Sequence, residues 1–68
     1  MSVIGGRIKE LRIEKKLSQA ELAKKIGVSQ KAIDYWERNI NEPKASYIID
    51  LCNCFNISAD YLLGRKEM

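Results

Sequence analysis

Ser18-Gln19-Ala20-Glu21-Leu22-Ala23-Lys24-Lys25-Ile26-Gly27-Val28-Ser29-Gln30-Lys31-Ala32-Ile33-Asp34-Tyr35-Trp36-Glu37 is the stretch whose reading decides the fold. Its first four residues have the S-x-x-E form of a capping box. In such a box the Ser18 hydroxyl accepts from the Glu21 amide and the Glu21 carboxylate accepts from the Ser18 amide, so a helix starts at Gln19. Leu22, Ala23 and Ile26 form the apolar stripe of that helix, about eight residues long. Gly27 follows where the chain must turn through a left-handed conformation or let two helices come close. Val28 begins a turn of three or four residues, and Ser29 is a competent N-cap for a second short helix. Ile33 and Trp36, three apart, mark the buried side of that helix, which ends near Glu37. Trp36 at this spacing belongs to the core. Ala23 must be small because the second helix of the pair crosses the first there.

Working outward, Ile4, Ile8 and Leu11 recur at helical spacing with charged residues between them, which predicts an amphipathic helix from about Ile4 to Lys15, with Leu17 entering the link. On the other side, Arg38-Asn39-Ile40-Asn41-Glu42-Pro43 is a loop by composition. Tyr47, Ile48, Leu51, Cys52 and Phe55 form another helical stripe, closed by Asn56. Ser58 to Leu63 reads as a short capped helix with Gly64 as its left-handed C′ residue. Residues 65–68 are expected to fray. Without a repeat or a period-2 segment, residues 1–68 read as one all-α domain of five helices with its core over about 4–64.

Composition narrows the function. With 68 residues, 46% hydrophobic and 31% charged, the chain is rich enough in apolar side chains for one core. It has no His and only two Cys, too few ligands for a zinc site, and the commonest general base is missing. No cofactor, no metal and no enzymatic activity are expected. Cys52 and Cys54, two apart on a helix, project about 200° from each other. A bridge between them would be strained, so both are expected reduced, Cys52 filling the core and Cys54 partly exposed. The apolar runs are too short for a membrane span or a secretory segment, which points to a cytoplasmic protein without a membrane partner. The formal net charge of +3 is unevenly distributed. Up to Lys31 eight basic residues stand against three acidic, and from Ala32 onward four basic against six acidic. Such polarity favours a polyanion on one face, although solvated basic helix surface has the same composition. Lys15, Lys16, Lys24 and Lys25 are read mainly as solubilising charge.

Two short helices joined by a glycine-containing turn, the second opened by Ser and studded with polar residues, have the sequence form of a helix-turn-helix. Leu17-Ser18-Gln19-Ala20-Glu21-Leu22-Ala23, Ile26-Gly27-Val28-Ser29, Ile33-x-x-Trp36-Glu37, Pro43 and Tyr61-Leu62-Leu63-Gly64 together resemble the Cro/C1-type (XRE-like) helix-turn-helix regulators. The resemblance runs from about Ile4 to Gly64. It implies a lambda-repressor-like fold, with the helix-turn-helix at helices two and three, and binding to double-stranded DNA. It also implies that Gln19, at the start of the first motif helix, meets a phosphate through its amide and the free backbone N–H groups. Ser29, Gln30 and Lys31 fall on the groove-facing start of the recognition helix, with Asp34, Tyr35 and Arg38 one turn further along. Gln30 suits adenine N6 and N7, and Lys31 suits guanine or a phosphate. Tyr35 suits a thymine methyl or a phosphate. Asp34 can accept from cytosine N4 or pair with Arg38 at i, i+4. Asn39, Asn41 and Lys44 sit near the sugar-phosphate chain. Lys44 stands where a Ser cap is usual, and Asn39-Ile40-Asn41 replaces a more usual glycine-containing loop.

The resemblance further implies an ion pair between Arg12 and Glu37 that locks the first helix to the recognition helix. The function expected is a transcriptional regulator, a repressor occupying a near-palindromic operator; the same fold also serves as an antitoxin or protein-interaction module. A homodimer, at least on DNA, is expected, with Ile13, Ile40, Ile49, Cys54 and Leu63 as apolar or soft residues off the main stripes. A protein antagonist would leave no trace in these residues.

Overall fold

A computed structural model describes residues 2–67, and among these the regular structure is five helices: α1 (Ile4–Glu14), α2 (Gln19–Ile26), α3 (Gln30–Glu37), α4 (Ala45–Phe55) and α5 (Ala59–Leu62). Three of them start on serine. The hydroxyls of Ser18, Ser29 and Ser58 accept from the backbone N–H three residues on, at 3.0, 3.1 and 3.1 Å. At α2 the box closes, the Ser18 N–H donating to Glu21 Oε1 at 2.8 Å. The Ser18 amide and then its hydroxyl hold the Glu21 carboxyl below the usual carboxylate range, helped by Lys25 and opposed by a little burial. Helix α4 starts on Lys44 with no side-chain cap, as the missing serine predicts.

Helix α1 solves the same problem through space. Its N-cap, Val3, has no side-chain acceptor. Ser2 Oγ accepts from the Ile4 N–H at 3.1 Å, and Asn39 Oδ1, from beyond the end of α3, accepts from the Gly5 N–H at 3.2 Å. The approach is so close that a Cβ on Gly5 would lie 2.7 Å from Asn39 Oδ1 and 2.8 Å from the Glu37 carbonyl. Gly5 is therefore required by contact. Gly27 has φ +84° and open space where a Cβ would stand, so its reason is the turn rather than helix proximity.

The helix ends share one device. The residues with positive φ are Lys16, Gly27, Asn39, Asn56 and Gly64, one after each helix. At α1, α3 and α5 the bonds are those of a Schellman motif: Lys16 and Leu17 donate to Ile13 and Arg12, Asn39 and Ile40 to Trp36 and Tyr35, Gly64 and Arg65 to Tyr61 and Asp60. Lys16, at φ +58°, is the one with neither glycine's freedom nor a short polar side chain.

Ile8, Leu22, Ile33, Leu51 and Leu62, one from each helix, are wholly enclosed. Trp36 is buried with them, its ring 5.6 Å from that of Tyr47. Cys52 and Cys54 are free thiols, both half-buried, so Cys52 borders the core rather than filling it, and burial pushes its thiol up. Within the tail expected to fray, Lys66 and Glu67 lie within reach of Arg7. Its guanidinium lies 4.3 Å from the Tyr61 ring centroid, donates to the Tyr61 carbonyl and to that of Lys66 at 3.1 Å, and pairs with Glu67 at 3.7 Å. The rest of that expected tail, Met68, lies outside the described residues, as does Met1.

Two substitutions of opposite sign test these constraints by urea unfolding. Gly5→Ala forces a methyl against carbonyl oxygens and should destabilise by about 1–3 kcal/mol. Lys16→Gly relieves a conformation costing about 1–2 kcal/mol for an L-residue, partly offset by about 0.5–1 kcal/mol of extra chain entropy, so a gain of up to about 1 kcal/mol is expected. An unchanged midpoint for either variant would contradict its assignment.

Candidate nucleic-acid interface

The front of α3 and its flanks carry polar side chains that the back of the helix holds still. Ile33 and Trp36 anchor the buried side. Gln30 and Lys31, in the first turn, are exposed. The Ser29 hydroxyl accepts the Ala32 N–H as the cap and keeps its own hydrogen to donate. One turn on, the half-exposed Tyr35 ring lies between two cations, with Lys31 Nζ 5.6 Å and Arg38 Cζ 5.8 Å from its centroid. Asn41 and Lys44 are exposed in the loop that follows.

Behind this face runs a continuous polar network. Arg12 of α1 donates through Nε to Glu37 Oε2 at 2.6 Å and through Nη2 to Glu37 Oε1 at 3.1 Å, while its Nη1 donates to the Leu17 carbonyl at 2.8 Å. The Arg12 side chain is 12% exposed and that of Glu37 3%. Hydrogen bonding to Glu37 raises the Arg12 pKa above its ordinary value; burial opposes the shift and the Coulombic attraction of Glu37 adds to it. Gln19 Nε2 donates to Glu37 Oε1 at 3.1 Å and to Asp34 Oδ1 at 3.3 Å. Asp34 Oδ2 then accepts from Arg38 Nε at 3.1 Å and lies 3.0 Å from Arg38 Nη2. Helices α1, α2 and α3, the last with its C-cap Arg38, are thus joined from Arg12 to Arg38.

The residues named from sequence divide accordingly. Gln30, Lys31 and Tyr35 lie on α3, the first two exposed and Tyr35 half-exposed, and Ser29 and Arg38 are its exposed N-cap and C-cap. The expected i, i+4 pair of Asp34 with Arg38 is present. Gln19 differs from the expectation in one respect: its side-chain amide nitrogen donates to two carboxylates, Asp34 and Glu37, which leaves the free backbone N–H groups at the start of α2 for a phosphate. Asn39 has a structural task besides, since its side-chain oxygen caps α1 and its backbone closes α3. That double role is not visible in a loop composition; the nearest signal is the glycine at position 5, in the first turn of a helix. Trp36 is buried and offers no ring for base stacking. Among the described residues no three His, Cys, Asp or Glu side chains are grouped to hold a metal, and no helix is long and apolar enough to cross a membrane.

A family model described as Helix-turn-helix matches residues 8–62. The crystal structure of the P22 c2 repressor in complex with a synthetic operator is 40% identical, with a TM-score of 0.87 over 93% of this chain and 96% of that one. The N-terminal DNA-binding domain of SinR from Bacillus subtilis is 35% identical, with a TM-score of 0.82 over 90% of each chain. Among curated proteins, the HTH-type transcriptional regulator ImmR of Bacillus subtilis is 34% identical over 96% of this chain, which spans 51% of that relative's length.

The buried ion pair has a thermodynamic signature. Arg12→Met alone leaves the Glu37 carboxylate buried with Gln19 as its remaining partner and should destabilise by about 3–5 kcal/mol, whereas Arg12→Met with Glu37→Leu should come back close to the parent. Thermal melts of both singles and the double measure the coupling; small additive losses, of the size of an exposed pair at under about 1 kcal/mol, would be inconsistent with a buried lock.

Proposed function

Because the chain belongs to the helix-turn-helix family of the Cro/C1 type, we propose that it is a sequence-specific double-stranded DNA-binding regulator, a repressor that occupies operator DNA with α3 in the major groove. The observation that carries this is the construction of α3: a short helix anchored from behind by Ile33, Trp36 and the Arg12–Glu37 pair, with Gln30 and Lys31 exposed at its leading end. A rigid helix with a polar front is what a groove about 12 Å wide admits. No catalytic role is proposed, and the cytoplasm is the proposed site of action.

Within this reading Gln30 pairs with adenine and Lys31 with guanine or a phosphate. Tyr35 packs on a thymine methyl or donates to a phosphate. Ser29, Asn41 and Lys44, the amide nitrogen of Asn39 and the Gln19 end of α2 contact the sugar-phosphate chain. Arg38 stands at the far end of α3 beside the sugar-phosphate chain, with its guanidinium held by Asp34. A single recognition helix reads too few base pairs to specify one site in a genome, so two copies bind half-sites about 34 Å apart. Ile13, Ile40, Ile49 and Leu63 are exposed, at 56%, 53%, 61% and 40%, and supply apolar surface for such a pairing; Cys54 is half-buried.

Selection of bound duplexes from a random pool by the purified protein should return a motif with a dyad, and sedimentation should give two proteins per selected duplex. Affinity should fall steeply with salt, at about 0.9 in log K per phosphate neutralised. Gln30→Ala should cost roughly 1–3 kcal/mol and relax one base position. Lys31→Ala should flatten the salt slope by about one unit or relax a guanine preference. Binding indifferent to salt would rule out the DNA reading, and an unchanged motif would remove Gln30 from base recognition.

A further inference from the structure

Asp34 sets a carboxylate on the helix face that is to meet a polyanion, where its own charge is repelled. Its two oxygens are not idle. Oδ1 accepts from Gln19 Nε2 at 3.3 Å, and Oδ2 holds Arg38 by its Nε edge, with Nε at 3.1 Å and Nη2 at 3.0 Å. The other hydrogen on Gln19 Nε2 is directed at Glu37. The Arg38 guanidinium carbon also lies 5.8 Å from the Tyr35 ring centroid. Two groups that would otherwise donate to any nearby phosphate are thus turned toward one carboxylate. The side chains of Gln30 and Lys31, one turn earlier, are exposed.

We propose that Asp34 is a positioning residue that sets the general affinity for duplex DNA: by holding the Gln19 amide and the Arg38 guanidinium, it weakens sequence-independent attraction to phosphate while leaving the base-reading turn of α3 untouched. The proposal rests on the DNA-binding reading above. Phosphates are present on every duplex, so a freed arginine strengthens binding to all sequences alike, whereas base edges match at one site. Discrimination is the ratio of the two affinities, from which a contribution common to both cancels. Holding Arg38 therefore lowers the affinity for every duplex and leaves the ratio where the base contacts set it.

The test uses fluorescence anisotropy with a selected duplex and a shuffled duplex of equal composition, over a salt series, for the parent, Asp34→Asn, Arg38→Ala and the double variant. Asp34→Asn should bind the shuffled duplex several-fold more tightly, with a salt slope steeper by about 0.9, one more phosphate contact. Its affinity for the selected duplex should rise by a similar factor, so discrimination is unchanged. In the Arg38→Ala background most of that gain should vanish, because Asp34 acts through Arg38. A gain confined to the selected duplex, the same gain without Arg38, or no gain on the shuffled duplex would overturn the proposal. Asp34 is 36% exposed, so asparagine there opens no cavity. A measurement on the parent protein, free of DNA, supplies a second decision. Hydrogen exchange at Arg38 Nε should be slower than at Arg65 Nε, whose pairing with Asp60 is long at 3.8 Å; equal exchange would show that Arg38 is not held. Failure of the parent to bind either duplex would count against the DNA reading instead, with the exchange result still reporting on Asp34.

Discussion

The bidentate pair of Arg12 with Glu37 is the interaction on which the placement of everything else depends. Helix α3 has only eight residues, with Ile33 and Trp36 as its buried contacts. So short a helix has little propensity-derived stability of its own and must be held by tertiary contacts. The guanidinium fork fixes Glu37 in both distance and plane, which a lysine at position 12 would not do. Arg12 also takes the Leu17 carbonyl, so one side chain binds the end of α1, the link into α2 and the last turn of α3. Burying two charges is costly unless every donor and acceptor is met. The Gln19 amide on the same carboxylate helps to meet that condition, and no buried side-chain nitrogen or oxygen among the described residues lacks a partner.

A chain of this size buries only about 60% of its unfolded surface, and the helix termini show how the fold compensates. Every helix has orphan backbone groups at both ends, and here they are met by serine caps, by left-handed residues and, at α1, by a side chain from another element. The Asn39 oxygen on the Gly5 amide and the Arg12–Glu37 pair grip α1 near its two ends, both against α3. Their combined effect is to fix the direction of α3 relative to α1, and with it the direction of the polar face.

Charge is arranged by the same logic. Lys24 and Lys25 occupy the last turn of α2 and Arg12 the last turn of α1, where cations are favoured by the helix dipole. Much of the positive charge in the first half of the chain therefore has a local stabilising position and is not concentrated on α3. The face of α3 is more finely balanced, with Lys31 and Arg38 flanking Tyr35 and Asp34 neutralising one of them. Local field there depends on side-chain pairing more than on net charge.

From the residues alone come the five helices, the serine starts of three of them, the turn at Gly27, the helix end at Asn56, the buried Trp36 and the pair of Asp34 with Arg38 as one of two readings. Each of these rests on interactions between residues no more than four or five apart, through helical periodicity, capping geometry or side chains one turn along. The Arg12–Glu37 pair was legible by a different route, through resemblance to a family, because nothing local joins positions 25 residues apart. Three features needed the tertiary structure. Gln19 turns its amide to Glu37, 18 residues on, Asn39 caps a helix 34 residues back, and Arg7 holds the Lys66 carbonyl 59 residues away. A polar side chain in a loop or at a helix start has several partners of equal chemical merit, phosphate, water or a distant backbone group. Which of them lies within 3 Å or so is decided by how the helices cross, and that is a property of the packed core rather than of any stretch of sequence.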